Sequence, residues 1–254
     1  MLESYLRARR NRRDILLMTH IVIGHPDLDT SLRLVDTMVS TGVDLIEMQI
    51  PISEPVADGP LISRANREAL KRGITVERCF ELAAAVAERF DIPFLFMSYY
   101  EVLSKRGVAE FVELTRQAGL VGAIVPDLPA EDGSEYLAAM RQNELSPIFV
   151  YSPVTKCEQM RSIARSAEGF VYCMARQGLT GDTTEFSDGL SSYLARARAA
   201  THLPLAVGFG IRSQRDVDFL RGKADIAVIG TETLRVLEAG GISAVAPFLS
   251  SLRC

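Results

Sequence analysis

The chain alternates short apolar runs with longer amphipathic stretches along its whole length. Most of the apolar runs lack alternating polar positions, which is typical of strands that are buried on both faces of a parallel sheet. We therefore predict strands in the eight runs at residues 15–23, 44–50, 93–99, 122–127, 147–151, 169–174, 204–208 and 224–230.

The stretches between these runs are predicted as helices, because their apolar residues recur at helical spacing. The stretch at 76–90 follows Thr75, a residue type that is favoured as an N-cap. Others end at a glycine, as at Gly42, or shortly before a strand that begins with proline, as at Pro93 and Pro204. The predicted helices cover residues 28–42, 76–90, 107–119, 131–143, 158–169, 190–200 and 213–222.

Repeated strand–helix units in a chain of 254 residues favour one closed (β/α)8 barrel over an open, doubly wound sheet. An open sheet that binds a dinucleotide would more often carry a GxGxxG turn after its first strand, and the turn here reads IGHPD. Because no linker or change of composition interrupts the pattern, we expect residues 1–254 to form a single domain.

Composition narrows the classes of function. The formal net charge of −4 gives no basic patch for nucleic acid, and no apolar run is long enough for a membrane span. The four cysteines fit no zinc spacing, so we expect free thiols in a reducing compartment, the cytoplasm. The three histidines are too scattered for a metal site and are interpreted as structural or exposed.

Two carboxyl groups are candidates for proton transfer. Glu47 lies within an otherwise apolar predicted strand, on the same face as Leu45 and Gln49. Burial disfavours the charged form of such a group, which suits a general acid–base, although an ion-paired structural glutamate remains an alternative. Asp58 lies in the proline-bracketed segment 51–66, which is predicted as a long functional loop; the alternative is an ordinary turn aspartate.

Glycine-containing turns follow the last three predicted strands and indicate a phosphate site. Glycines let backbone N–H groups approach an anion, and barrels often bind phosphate after strands seven and eight. Tight turns without a ligand are the alternative. With nearby aromatic residues, these turns suggest a small phosphorylated substrate in apolar surroundings. The glycines and threonines are Gly178, Thr180, Gly181, Gly208, Gly210, Gly230 and Thr231, and the aromatic residues are Tyr99, Tyr100, Tyr172 and Phe209.

The string VDLIEMQIPISEPVADGPLI resembles the signature of the tryptophan synthase α-subunit family. The resemblance extends over nearly the whole chain, in the order IGHPD, FMSYYEVL, IVPDLP, ARQGLTG, VGFGIRS and IGT. It implies a (β/α)8 TIM barrel with extra N-terminal and loop helices. The family's reaction is the retro-aldol cleavage of indole-3-glycerol phosphate to indole and glyceraldehyde 3-phosphate.

The resemblance also implies roles for individual residues. Glu47 would be the general acid–base, and Asp58 the second catalytic carboxylate, which binds the indole N–H. Residues 176–184 would form a mobile flap. Substrate contacts would come from Tyr172, Phe209, Tyr99 and Thr180, and phosphate contacts from Gly181, Gly210, Gly230 and Thr231.

No cofactor or metal is expected in this chain. The resemblance implies instead a partner β subunit that contains PLP, in an α2β2 assembly. Departures from the family pattern at Glu54 and Glu101 fall near the expected interface, so they bear on which partner the chain binds. The alternatives are a free-standing lyase, a non-catalytic activator of the β subunit, and another phosphosugar isomerase on a related barrel.

Overall fold

Eight parallel strands close into a barrel in the computed structural model, which describes residues 2–175, 187–208 and 210–253. Each strand pairs with the next in chain order, and β8 pairs with β1. All lie within the predicted runs except β5, which begins one residue earlier, so the predicted barrel is confirmed. The strands are Leu16–Val22 (β1), Leu45–Gln49 (β2), Phe94–Met97 (β3), Gly122–Ile124 (β4), Ser146–Tyr151 (β5), Val171–Met174 (β6), Leu205–Gly208 (β7) and Ile226–Ile229 (β8).

Helices surround the barrel, and each predicted helix overlaps an observed one. The Thr75 side chain accepts a hydrogen bond from the N–H of Arg78, so the predicted N-cap is confirmed. The helices are Leu2–Arg10 (α1), Leu28–Ser40 (α2), Pro60–Lys71 (α3), Val76–Arg89 (α4), Tyr100–Arg106 (α5), Val108–Gln117 (α6), Ser134–Gln142 (α7), Cys157–Ala164 (α8), Asp188–Ala200 (α9), Gln214–Leu220 (α10), Thr231–Gly240 (α11) and Ile242–Ser251 (α12).

The sequence predicts a long loop over residues 51–66. This prediction is wrong for the second part of the segment, because α3 begins at Pro60. Proline is well suited to the first helical position, where its missing N–H has no partner to lose. Farther along, the Asn66 side chain accepts a hydrogen bond from the N–H of Ile52 at 3.0 Å and donates one to the carbonyl of Ile62 at 2.9 Å. These bonds tie the short loop 51–59 to α3 and hold it over the barrel.

The expected extra helices are present. One is α1 at the N terminus, and the others are α3 and α5, which precede the helices α4 and α6 that lead to the next strand. Leu2 and Leu6 of α1 are buried against the core. None of the helices in the described part of the chain is long and apolar enough to cross a membrane.

Candidate active site

A cavity lies among the strands and the loops that follow β2, β7 and β8. Strands β1 to β6 and β8 each contribute a lining side chain, so the cavity lies at the mouth of the barrel. Its mostly apolar wall with a few polar groups is typical of a small-molecule site. The apolar lining residues are Ala57, Ile62, Met97, Ile124, Pro126, Val150, Met174, Ile211 and Val228.

Glu47 projects from the middle of β2 into this cavity and is 4% exposed. One carboxyl oxygen, Oε1, lies 3.0 Å from Nδ1 of His20 on the neighbouring strand β1. The other, Oε2, is buried and has no hydrogen-bond partner among the described residues. A buried carboxyl oxygen without a partner is costly, so this atom is placed to exchange a hydrogen bond or a proton with a ligand.

Asp58 lies at the end of the loop after β2 and is 5% exposed. Its Oδ2 atom accepts hydrogen bonds from the Gln49 side chain at 2.6 Å and from the Tyr99 hydroxyl at 3.0 Å. The Tyr99 hydroxyl in turn accepts the N–H of Ala57 at 3.1 Å. Gln49 of β2 and Tyr99 in the turn between β3 and α5 therefore hold this carboxyl group in one orientation.

Burial governs the electrostatics of Asp58. Desolvation raises the pKa of its carboxyl group above the ordinary value of 3.8, although the charge of His20 and the hydrogen bonds from Gln49 and Tyr99 act in the opposite direction. The donors thus compensate only in part for the loss of water.

Tyr172 on β6 lines the cavity opposite the carboxyl groups. Burial, and then the nearby carboxylates of Glu47 and Asp58, raise the pKa of its hydroxyl well above the usual value, so it is a neutral hydroxyl. Gly208 on β7 makes room for it, because a Cβ atom there would lie 2.1 Å from the tyrosine oxygen. This glycine at the end of β7 is therefore required by the packing of the site itself.

The far side of the cavity is lined by the turns after β7 and β8. Gly210 has a φ of 90°, in the left-handed region that favours glycine, and Gly230 directly precedes α11. The first N–H groups of α11, from Thr231 onward, have no partner within their own helix. Arg212 lines the same side, with its Nε atom 3.9 Å from the Glu232 carboxylate. Glycine turns, a helix N-terminus and a guanidinium group together suit an anion.

The structure brings together most of the residues predicted for the site. Tyr99 is an exception, since it supports Asp58 from behind and is not among the residues that line the cavity. Phe209, Thr180, Gly181 and the proposed flap at 176–184 lie outside the described residues. The predicted residues that line the cavity are Glu47, Asp58, Tyr172, Gly210, Gly230 and Thr231.

Three polar residues of the site were missed by the sequence analysis. His20 was interpreted as structural or exposed, whereas it contacts Glu47. Gln49 was placed on the same strand face as Glu47, and this placement could have identified it as a partner in the site. Arg212 follows the GFG turn after β7, and a cation next to a predicted phosphate turn is a signal that was available.

The described residues contain no group of three or more His, Cys, Asp or Glu side chains that could hold a metal ion. The chemistry that the cavity offers is proton transfer, from two buried carboxyl groups at one side, to a ligand whose anionic end lies at the other.

Comparisons with known proteins agree with this geometry. The family model described as "Tryptophan synthase alpha chain" matches residues 6–246. The chain is 56% identical over 253 residues to the tryptophan synthase alpha chain of Syntrophotalea carbinolica, covering 100% of both chains. A structure of Mycobacterium tuberculosis tryptophan synthase aligns with a TM-score of 0.92 at 28% identity, covering 99% of this chain and 96% of that one. A chain of the tryptophan synthase complex from Pyrococcus furiosus aligns with a TM-score of 0.85 at 25% identity, covering 93% and 97%.

Because desolvation dominates at Asp58, we predict that Asp58→Asn does not destabilise the fold at pH 8. A raised carboxyl pKa means that the native state binds the proton more tightly than the unfolded state, so stability falls as the pH rises through this range. The asparagine removes a buried charge and can still accept the bonds from Gln49 and Tyr99. Urea unfolding between pH 4 and pH 8 should show a free energy of unfolding at or above wild type at pH 8, with the difference narrowing towards pH 4.

The exposed carboxyl of Asp36, which pairs with Arg89, provides the control. Asp36→Asn removes the same charge from the surface. A loss of more than about 1 kcal/mol in Asp58→Asn at pH 8, beyond that of the control, would show that the buried carboxylate is net stabilising.

Proposed function

The chain belongs to the tryptophan synthase alpha chain family, and we propose that its active site is the cavity at the mouth of the barrel. Like its family, the protein is a carbon–carbon lyase that cleaves indole-3-glycerol phosphate to indole and glyceraldehyde 3-phosphate. The observation that carries the assignment of the site is the pair of buried carboxyl groups, Glu47 and Asp58, in one largely apolar cavity with an anion-binding end.

Glu47 is proposed as the general acid–base. Cleavage requires a proton to be added at C3 of the indole ring and a proton to be removed from the hydroxyl on the adjacent chain carbon. The bond between these two carbons then breaks, its electron pair returns to the indole ring, and the hydroxyl carbon becomes the aldehyde. The Oε2 atom of Glu47, which has no partner in the described part of the chain, donates the first proton and accepts the second.

Asp58 is proposed to bind the indole N–H. Positive charge develops on the indole ring as C3 is protonated, and a fixed carboxylate beside the N–H stabilises that charge in the transition state. The bonds from Gln49 and Tyr99 both go to Oδ2, so Oδ1 is the atom assigned to the substrate. Tyr172 and the apolar lining residues would then contact the indole ring.

The phosphate group of the substrate is assigned to the opposite side of the cavity. Gly210, Gly230 and Thr231 would provide backbone N–H groups and a hydroxyl, with the N-terminus of α11 behind them. Arg212 is added to this set as a direct cationic ligand, which would exchange its contact with Glu232 for the phosphate. Phe209, Thr180 and Gly181 remain proposed contacts on the strength of the resemblance.

The partner is proposed to be a PLP-containing β subunit, which receives indole. Ser53, Glu101 and Lys105 line one open groove beside the site, and Val56 on the same loop is 67% exposed. An exposed apolar residue within a charged rim is typical of a protein interface. Glu101 pairs with Lys105, so its carboxylate departs from the family pattern without leaving an isolated charge at this surface.

The protein carries no cofactor of its own, since PLP belongs to the β chain of the family. We further propose that residues 1–254 act as a single domain, supported by the closure of one barrel between β1 and β8. A cytoplasmic location is proposed on the strength of the free thiols of Cys79, Cys157 and Cys173.

Glu47→Gln is predicted to lower kcat for cleavage of indole-3-glycerol phosphate by about 10²- to 10⁴-fold with little change in KM, because an amide cannot exchange the proton. Indole release by the purified chain measures this. Glu88→Gln, an exposed residue of α4, is the matched control and should retain the wild-type rate. A folded Glu47→Gln protein with an unreduced rate would contradict the proposed site.

Arg212→Gln is predicted to raise KM about tenfold or more with a smaller effect on kcat, because a charge-assisted hydrogen bond to phosphate contributes about 1.5–3 kcal/mol. Arg215→Gln removes an exposed cation from the same region without touching the cavity. If both variants raise KM equally, the effect comes from overall charge, and Arg212 is not a phosphate ligand.

Addition of the cognate β subunit is predicted to raise the rate of indole formation, and Val56→Glu to abolish that rise while leaving the rate of the isolated chain unchanged. Lys71→Glu, which alters the exposed last residue of α3, is the control. High turnover that ignores the β subunit would favour the free-standing lyase. Activation without any cleavage by the chain itself would favour the non-catalytic activator.

A further inference from the structure

His20 is a polar residue in the interior of β1, where the pairing register sets it beside Glu47 of β2. The two side chains are almost wholly buried, at 5% and 6% exposure, and the Nδ1–Oε1 distance is 3.0 Å. Both residues line the cavity. A buried histidine that pairs with a buried carboxylate in a ligand cavity indicates a role in the site, in addition to packing in the core.

The hydrogen bond between these side chains leaves one polar atom on each without a partner. Nε2 of His20 and Oε2 of Glu47 are both buried and make no hydrogen bond of good geometry among the described residues, although a weaker contact with the Gln49 side chain helps to raise the His20 pKa. Buried polar atoms in native structures nearly always have a partner. Two such atoms on the walls of one cavity indicate that a ligand satisfies them.

The charged and titratable groups around His20 come from several elements. Glu47 on β2 and Asp58 on the following loop supply negative charge, and Tyr172 lies across the cavity on β6. Arg212 and Glu232 lie on the far side, after β7 and β8. Burial lowers the pKa of the His20 imidazole, but the hydrogen bond to Glu47 and the carboxylate charges outweigh burial, so the pKa is raised above its ordinary value of 6.5.

We propose that His20 is a positioning residue for Glu47, which fixes the carboxyl group through Oε1 and shares with it the one proton that the lyase reaction needs. This inference rests on the proposed function of the cavity and adds a residue to it. The second contact of His20, from Nε2, is assigned to a polar atom of the bound substrate.

The pair donates one proton to the substrate and takes one proton back, so the reaction needs no other proton donor or acceptor. In the active form the pair holds one proton beyond the Nδ1–H that donates to Oε1, and it delivers this proton to the substrate from Oε2. Transfer to indole C3 leaves a carboxylate in an apolar cavity, and the bond from Nδ1–H stabilises that charge. The carboxylate then takes the proton of the substrate hydroxyl as the carbon–carbon bond breaks, and the pair returns to its starting state.

The pair loses its proton at high pH, so the activity is expected to fall as the pH rises through the pKa of the pair. With phenylalanine at position 20 the pair no longer exists, and Glu47 holds the proton without the imidazole and without the Nδ1–H donor. The high-pH limb of the rate profile should therefore move away from its wild-type position.

Three variants test the proposal: His20→Phe, His20→Asn and the control His202→Phe, at an exposed position away from the cavity. Loss of a hydrogen bond to a charged group should lower kcat of His20→Phe about 10- to 100-fold, with KM within about threefold of wild type. The side-chain amide of His20→Asn can donate to Oε1, so this variant should recover most of the rate without recovering the high-pH limb.

A purely structural role for His20 would leave kcat and the pH profile of folded His20→Phe as in the control, and that result would overturn the proposal while leaving the lyase assignment intact. If the wild-type chain itself releases no indole, the proposed function fails, and the pairing is decided separately by NMR. The chain has three histidines, so the imidazole signal of His20 can be assigned from its loss in His20→Phe.

In that NMR titration, His20 is expected to titrate above pH 6.5 in the wild type and at a clearly lower pH in Glu47→Gln, where only the charge of Asp58 and the contact with Gln49 oppose burial. An unchanged titration in Glu47→Gln would overturn the pairing whatever the activity. Circular dichroism confirms folding of each variant, and His20→Asn serves where His20→Phe fails to fold.

Discussion

The burial of two carboxyl groups at the mouth of an apolar barrel is the constraint on which the whole site depends. Glu47 and Asp58 are 4% and 5% exposed. A carboxylate that leaves water costs several kcal/mol unless hydrogen bonds replace its solvent. The protein provides two donors for Asp58 and one polar partner for Glu47. Asp58 is thereby held as a fixed acceptor, whereas Glu47 retains an oxygen that can exchange a proton.

The closed parallel barrel determines which side chains can supply these partners. His20 lies directly opposite Glu47 in the register of β1 and β2, and Gln49 lies two residues beyond Glu47 on the same strand. A slip of one residue in β1 would turn His20 away from the cavity, because alternate side chains point to opposite faces. Register, rather than loop shape, therefore sets the geometry of the acid–base side of the site. From the loop 51–59 the carboxyl group is Asp58, and Tyr99, two residues beyond β3, fixes it.

The sequence predicts the strands well because continuous apolar runs of strand length are typical of buried strands in a globular chain. It also predicts Glu47 and Asp58, since carboxyl groups in or next to such runs are unusual. It does not predict the helix that begins at Pro60, because proline, glycine and small residues fit a loop as well as a first helical turn. Nor does it separate His20 from a structural histidine, since its partner depends on the register between two strands. The supporting role of Tyr99 depends on a contact with Asp58 across 41 residues of chain, which no local pattern contains.

The polarity of the cavity also orients the proposed substrate before any bond breaks. Glu47 and Asp58 lie on the side of β2. Glycine turns, a helix N-terminus and Arg212 lie after β7 and β8, where the one acidic lining residue that the structure describes, Glu232, is paired with Arg212 and Arg235. A substrate bound in reverse would bring its phosphate against Glu47 and Asp58. Two like charges about 4 Å apart repel by about 4 kcal/mol at the effective dielectric constant near a protein surface. Since about 1.4 kcal/mol corresponds to a factor of ten, a repulsion of this size from one ionised carboxylate would disfavour the reversed orientation by up to about a thousandfold. The same charges that make Glu47 and Asp58 costly to bury therefore also direct the indole ring towards them.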